Sequence, residues 1–446
     1  MRIRFAVAFA LIGSLVGCSS ILDQEPTGQG PAEDAIINAQ GARAALAGAY
    51  AGLQSDSYYG GDFVFFGDLP SDNADHTGTF TSYGQADDNQ FRADNATAYD
   101  IWAAIYDPIN RVNNILLKVP ALTDLDETEK NEILGEAFFL RALHYHNLVK
   151  LYGDVPIRLV PVNNLDEAAD AVRAPVAEVY TQILSDLDQA GTLITDPDPT
   201  DADTTTRATV VAVSALRARV QLYRGDYAAA LTNADAVIAA GRALAPAFSD
   251  LFDAEGQDTD EDIFKVLFNA QQFSLEGFYY TAADFDGRGE LAPSQNLIDA
   301  FEPDDARLAW SIFVGDDVIS GSKWATTIGA EDMHVIRFAE VLLIRAEALA
   351  RQNDLVGAVD TYNQLRARAG LAAHTLGAEV TTQADVLAAI ELERRRELAF
   401  EGDRWPDLVR TGRAVEVLGI PEFQTLFPIP QAEIDVAPGL TQNPGY

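Results

Sequence analysis

Two stretches of this chain repeat one design at a constant offset of 128 residues, Leu216 against Ile344. The first reads LRARVQLYRGDYAAALTNADAVIAAG and the second IRAEALARQNDLVGAVDTYNQLRARAG. Arg217 and Ala218 match Arg345 and Ala346, Asp226 matches Asp354, and Ala230 matches Ala358. Each unit reads as a helix, a tight polar turn (Gly225-Asp226 or Asn353-Asp354) and a second helix. Small residues at the crossing points let the two helices approach closely. Such a pair cannot bury its apolar face alone, so it must stack against others of its kind.

The arrangement resembles tetratricopeptide repeats, in which each pair covers its neighbour's apolar face. Helical periodicity predicts helices over 36–54, 98–118, 127–152, 174–191, 207–224, 227–240, 335–351, 355–369 and 384–400. Pairing 36–54 with 98–118 and 127–152 with 174–191 brings the count to about four units. The expected fold is therefore mainly α, a tetratricopeptide-like helical-repeat scaffold with long irregular insertions and minor β. A short alternating stretch, Ile263 to Phe268, reads as a strand. With 48% apolar residues, the chain can bury a large core.

Residues 55–97 and 242–334 lack sustained helical period and are rich in Gly, Asp, Ser, Thr and aromatics. Long irregular segments inside a compact protein often carry function. Phe63, Phe65 and Phe66 lie in an apolar run and are expected in the core. Tyr83, Trp310 and Trp324 sit among Gly, Ser, Thr and Asp, where exposure is expected.

The amino terminus carries Arg2 and Arg4, an apolar run from Phe5 to Ile12, and Leu15-Val16-Gly17-Cys18. That is a secretory signal with a lipobox, and its apolar run is too short to span a bilayer as a mature helix. Cys18, the only cysteine, is expected to be the lipidated first residue of the mature chain. Residues 1–17 then form the signal peptide and 18–35 a lipidated tether rich in Ser, Gln, Gly and Pro. The mature protein should be anchored to a membrane, not embedded in it.

The formal charge is −37, and removing residues 1–17 deletes two arginines and no acid, taking it to −39. Such a surface repels DNA, RNA and anionic lipid, so no nucleic-acid partner is expected. The acidic runs Asp196 to Asp203 and Asp258 to Asp262 lack the Gly and terminal Glu of an EF-hand loop. Asp284 to Gly287 begins like such a loop, yet its twelfth position is Gln295. No metal site and no cofactor are expected. The chain has no GxSxG elbow, HExxH or P-loop. Chance pairs among 68 acids say nothing about glycoside hydrolysis. His144 and His146 point to different faces of one helix and cannot jointly hold a metal from it, and His144 is expected to pack beside Tyr145. No catalytic residue is assigned, and the chain is read as a non-enzyme.

The last fifth holds the charge-dense run ELERRRELAFEGDRWPDLVRTG, Glu391 to Gly412. Spacing by one helical turn pairs Arg394 with Glu397 and Glu393 with Arg396. A guanidinium fork beside Phe400 and Trp405 suits a packed setting more than a solvated face. This run, together with LFPIPQAEIDVAPGLTQNPGY at the end, resembles the carboxyl-terminal signature of the SusD/RagB family of surface nutrient-binding lipoproteins. RALHYHNLVKLYGDVPI (Arg141 to Ile157) and IRFAEVLLIRAEAL (Ile336 to Leu349) fit in the same order. Pro406 stands where the family usually has an aromatic, and Ala437 where it usually has Asn.

The resemblance implies a cell-surface, lipid-anchored glycan-binding protein of the outer membrane. Such a protein delivers oligosaccharides to a TonB-dependent SusC-like transporter, acting as its lid. It implies division into an amino-terminal SusD-like region, 36–241, and a carboxyl-terminal RagB/SusD region, 242–446. In the family, loops over the repeats build the glycan site. Aromatic faces stack on sugar rings, while planar amide, carboxylate and guanidinium groups bind hydroxyls. The residues expected to bind ligand are Tyr83, Trp310 and Trp324, with Asp72 and Asn73 as hydroxyl partners. The alternative is a lipid-anchored helical-repeat adaptor that binds another envelope protein.

Overall fold

The computed structural model describes residues 36–195, 205–252, 259–324 and 327–446. The signal peptide, Cys18, the tether and the acidic run from Asp196 to Asp203 lie outside the described residues.

The nine predicted helices are present, with ends shifted by at most a few residues. They are α1 (Ala39–Ala51), α2 (Ala96–Lys118), α3 (Glu127–Tyr152), α4 (Val176–Leu193) and α5 (Val210–Tyr223). The rest are α6 (Tyr227–Ala239), α7 (Phe338–Arg351), α8 (Leu355–Arg368) and α9 (Gln383–Glu397). A shorter α10 (Arg404–Arg410) follows. Side-chain caps set many of the starts: Asn38, Asn95, Asp126, Thr209 and Thr382 each accept a hydrogen bond from a first-turn amide.

The repeat is reproduced down to its dihedrals. Gly225 (φ 75°) and Asn353 (φ 66°) both turn left-handed, which Gly and Asn tolerate best. Asp226 (φ −85°, ψ 74°) and Asp354 (φ −86°, ψ 77°) then cap α6 and α8, accepting from Ala229 and Gly357. Pairs α1–α2, α3–α4, α5–α6 and α7–α8 stack in that order, α4 meeting α5, α6 meeting α7, and α9 closing on α7 and α8. Pro108 lies inside α2 and is buried there; its ring fits against Gly52, where a Cβ would come within 2.9 Å.

Helix α3 is enclosed on nearly every side. His144 pairs through Nδ1 with the Tyr58 hydroxyl at 2.9 Å, so its partner comes from the first insertion and not from Tyr145. His146 meets the Tyr223 ring edge-on at 4.9 Å. Burial pushes the His144 imidazole down to about 3, so it is neutral.

Strand content is small. Asp262–Val266, where the alternating stretch predicted a strand, pairs antiparallel with Met333–Arg337. Ala74–His76 pairs with Leu291–Pro293, which joins the two insertions. Ile312–Val314 and Ile319–Gly321 form a hairpin.

Most of the charge-dense run is buried, Glu393 to Glu397 throughout. Of its two predicted pairs, Glu393–Arg396 forms at 3.1 Å. Arg394–Glu397 does not. Arg394 turns to Asp403 (2.7 Å) and Asp407 (3.1 Å). Glu397 is shared by Arg307, Arg337 and Arg368. An enclosed helix offers each side chain a different neighbouring element, which outcompetes the partner one turn away. Pro406 falls in the first turn of α10, where its missing N–H costs nothing. The closing QNPGY is a backbone clamp. Gln442 receives the Ile429 amide at 2.7 Å and donates to its carbonyl at 2.8 Å. Asn443 donates to the carbonyls of Tyr152 and Phe427.

Candidate functional site

Four of the five expected ligand residues are packed into the protein. Asp72 sits in a fork of Arg404, with Nε–Oδ1 2.7 Å and Nη2–Oδ2 3.0 Å, and lies 3.2 Å from Arg395. Burial alone would raise its carboxyl, but the two guanidiniums hold it below the usual range. Asn73 is fully buried; it donates to Asp68 at 2.7 Å and accepts from Arg395 at 2.8 Å. Tyr83 is buried among Phe65, Phe66 and Phe80, its hydroxyl donating to Asp62. Trp324 is buried with its ring edge-on to Phe252 at 5.6 Å. In these positions the polar atoms of Asp72, Asn73 and Tyr83 are engaged within the protein, and the Trp324 ring is enclosed. Trp310 differs, standing 40% exposed beside the hairpin.

Trp310 has company. Phe285 (44% exposed) and Phe313 (45%) meet edge-on at 5.0 Å. Phe313 belongs to the hairpin, and Phe285 ends the turn Ala283–Phe285. The Ala282 amide donates to Ser320 Oγ at 3.0 Å, locking turn and hairpin together. Gly287 makes that turn possible, since a Cβ there would stand 1.9 Å from the Thr281 carbonyl oxygen.

Beside this pair lies a second group of rings. Phe80 and Tyr279 sit 6.2 Å apart, and Tyr279 is stacked on buried Phe65 at 5.3 Å and 13°. The Arg288 guanidinium lies 4.3 Å over Phe80 and 5.6 Å from the Tyr279 centroid. Its Nε donates to Glu290 at 2.7 Å. Glu290 is buried and also receives the amides of Thr79 and Phe80, both at 2.8 Å, and faces His76 Nε2 at 3.1 Å. Burial opposes ionisation, yet these donors hold the Glu290 carboxyl below its usual value. Gly78 leaves room for this wrap, because a Cβ would fall 2.2 Å from the Glu290 carboxyl carbon.

Phe80, Tyr279, Phe285, Trp310 and Phe313, with the Arg288 guanidinium over the Phe80 ring, are together termed the ring ledge. Such a surface can stack on the apolar faces of a polyol ring and hydrogen-bond its hydroxyls without moving. Among the described residues, no group of three or more His, Cys, Asp or Glu is arranged to hold a metal ion. No described helix is long and apolar enough to cross a membrane. Two clefts lie elsewhere, of about 490 Å³ between α1 and the start of α3 and about 280 Å³ beside Trp102 and Arg158. Trp102 is only 3% exposed, so it offers no open ring face.

Residues 33–222 match a SusD-like family model described as starch-binding associating with outer membrane. Residues 310–421 match the SusD family model. The chain belongs to the SusD/RagB family. It is 29% identical to SusD-like protein P2 of Formosa agariphila, over 99% of this chain and 100% of that one. It is 25% identical to the starch-binding protein SusD of Bacteroides thetaiotaomicron, over 76% of each. A SusD superfamily protein from Bacteroides vulgatus superposes with a TM-score of 0.83 at 21% identity, covering 92% of this chain and 99% of that one. A laminarin-binding SusD-like protein gives 0.78 at 24% identity, covering 92% and 100%.

The two SusD/RagB matches take in α1 to α5 at one end and the arginine-rich run at the other. Tyr279, Phe285, Arg288 and Glu290 fall between them. Sequence reasoning missed Phe313, though IFVGDDVIS does hold a signal: a hairpin with one covered face must turn some of its large apolar residues outward.

Proposed function

We propose that this SusD/RagB chain captures oligosaccharides at the cell surface through the ring ledge formed by Tyr279, Phe285, Trp310 and Phe313. The observation that carries the reading is the exposed Phe285–Phe313 pair, held rigid by the hairpin and the 281–289 turn. Large rings left open at a fixed geometry are the device by which proteins bind sugars without reacting with them. The starch-binding and laminarin-binding names of two relatives support the same ligand class. Lipidation at Cys18 would hold the protein on the outer membrane, and delivery to a TonB-dependent SusC-like transporter, with this chain as lid, completes the role. Captured glycan is expected to be released intact.

The test is calorimetry of the purified mature protein against oligosaccharides of several linkages, with chromatography of the recovered glycan. The expected result is saturable binding, weakened by Phe285→Ala and Phe313→Ala, with no shortened product. Cleavage of any glycan, or binding indifferent to both substitutions, would overturn the assignment.

A further inference from the structure

We infer that the ledge selects neutral glycans and rejects sulfated or uronate-rich chains, with Arg288 as the hydroxyl-binding fork. This rests on the glycan-binding reading above and adds the charge class of the ligand. A site for a polyanion needs cations that the protein has not already neutralised. The second insertion, residues 242–334, holds nineteen acids against Arg242, Lys265, Arg288, Arg307 and Lys323. Lys265, Arg307 and Lys323 are buried in ion pairs with Asp332, Asp305 and Glu401. In the first insertion Arg92 is the only Lys or Arg, and it is paired with Asp94, while His76 faces Glu290.

Arg288 is therefore the cation at the ledge, and its charge is answered by Glu290 at 2.7 Å. Its side chain remains 34% exposed. The Nε–Glu290 bond and the two ring contacts are its interactions among the described residues. That leaves the two Nη groups of the partly exposed side chain available to a ligand. A flat, charge-compensated fork suits neighbouring hydroxyls of a neutral sugar. The exposed pair Phe285–Phe313 is meanwhile flanked by Asp284, Asp286, Asp316 and Asp317, all at the surface. A chain bearing sulfate or carboxylate on successive sugars would have to lie against these acids.

The experiment compares laminarin-, starch- and xylan-derived oligosaccharides with alginate and carrageenan oligosaccharides, by calorimetry at low and high salt. A neutral glycan should bind with an affinity nearly indifferent to salt, and the polyanions at least about tenfold more weakly. Arg288→Gln should lower affinity for the neutral glycan about tenfold, and Arg288→Lys should recover little of it, because an ammonium lacks the planar fork. The combined surface variant Asp284→Asn, Asp286→Asn, Asp316→Asn, Asp317→Asn should narrow the gap between the two classes. A polyanion that binds more tightly than any neutral glycan, with affinity falling as salt rises, sinks the charge inference and leaves glycan capture standing. Binding of no member of either class overturns glycan capture itself, and the inference with it.

Discussion

Arg395 Nε donates to Asn73 Oδ1 at 2.8 Å, tying the carboxyl-terminal helix α9 to the first insertion across 322 residues of sequence. The same guanidinium donates to the Asp72 carbonyl at 2.6 Å and lies 3.2 Å from the Asp72 carboxylate. Asn73 is thus a two-sided connector between Arg395 and Asp68. Asn73→Ala should lower stability by about 1–3 kcal/mol, because it removes one hydrogen-bond partner each from a buried guanidinium and a buried carboxyl. Denaturant unfolding measures the loss, and glycan affinity of the folded fraction should stay as it was. A variant with unchanged unfolding but lost binding would return Asn73 to the ligand site.

The arginine-rich run should behave as scaffold. Arg396 donates to the Ala300 carbonyl at 2.6 Å and meets Glu302 at 2.7 Å. Trp405 is fully buried near Phe427. Arg396→Ala is expected to cost about 2–4 kcal/mol and Trp405→Ala about 3–5 kcal/mol of stability. Calorimetric melting separates these from Phe313→Ala, whose ring is half open and whose removal should leave the melting temperature nearly unchanged.

The rings of the ledge should each matter to binding and little to folding. Phe285→Ala, Trp310→Ala or Phe313→Ala should each weaken glycan affinity by about 1–3 kcal/mol if the ring stacks on sugar. Tyr83→Ala and Trp324→Ala should instead reduce stability, since both rings are buried. Titration of the five variants against one glycan, alongside their melting curves, sorts them into two groups.

Stability should fall as pH rises from about 4.5 to about 8. Burial, with Asp56 and Asp62 adding repulsion, pushes the Glu276 carboxyl up to about 8. A raised carboxyl binds its proton more tightly in the folded state. The stability it brings is present in full below the unfolded value of about 4.5 and is lost as pH climbs through 8. Glu276→Gln should remove this slope and stabilise the protein at pH above 8 by on the order of 2–4 kcal/mol relative to the parent. Unfolding curves of both proteins between mildly acid and mildly alkaline pH measure it. Parallel pH profiles would contradict the assignment.

The amino-acid sequence by itself determined the helices, the hairpin repeat and the family. Helix formation is written locally, in the 3.6-residue period and in caps such as Asp226 and Asp354, and the match at a constant offset exposes the stacking unit. The alternation at Asp262–Val266 was legible for the same reason. Only the tertiary structure decided which charged and aromatic side chains face solvent. Glu393 found Arg396 one turn away, but Arg394 and Glu397 were taken by Asp403, Asp407, Arg337 and Arg368 from other elements. Tyr83 and Trp324 sit in polar stretches yet are buried, while Phe285 and Phe313 stand open. Exposure depends on what the rest of the chain lays over a residue, and a loop's own composition carries no record of that.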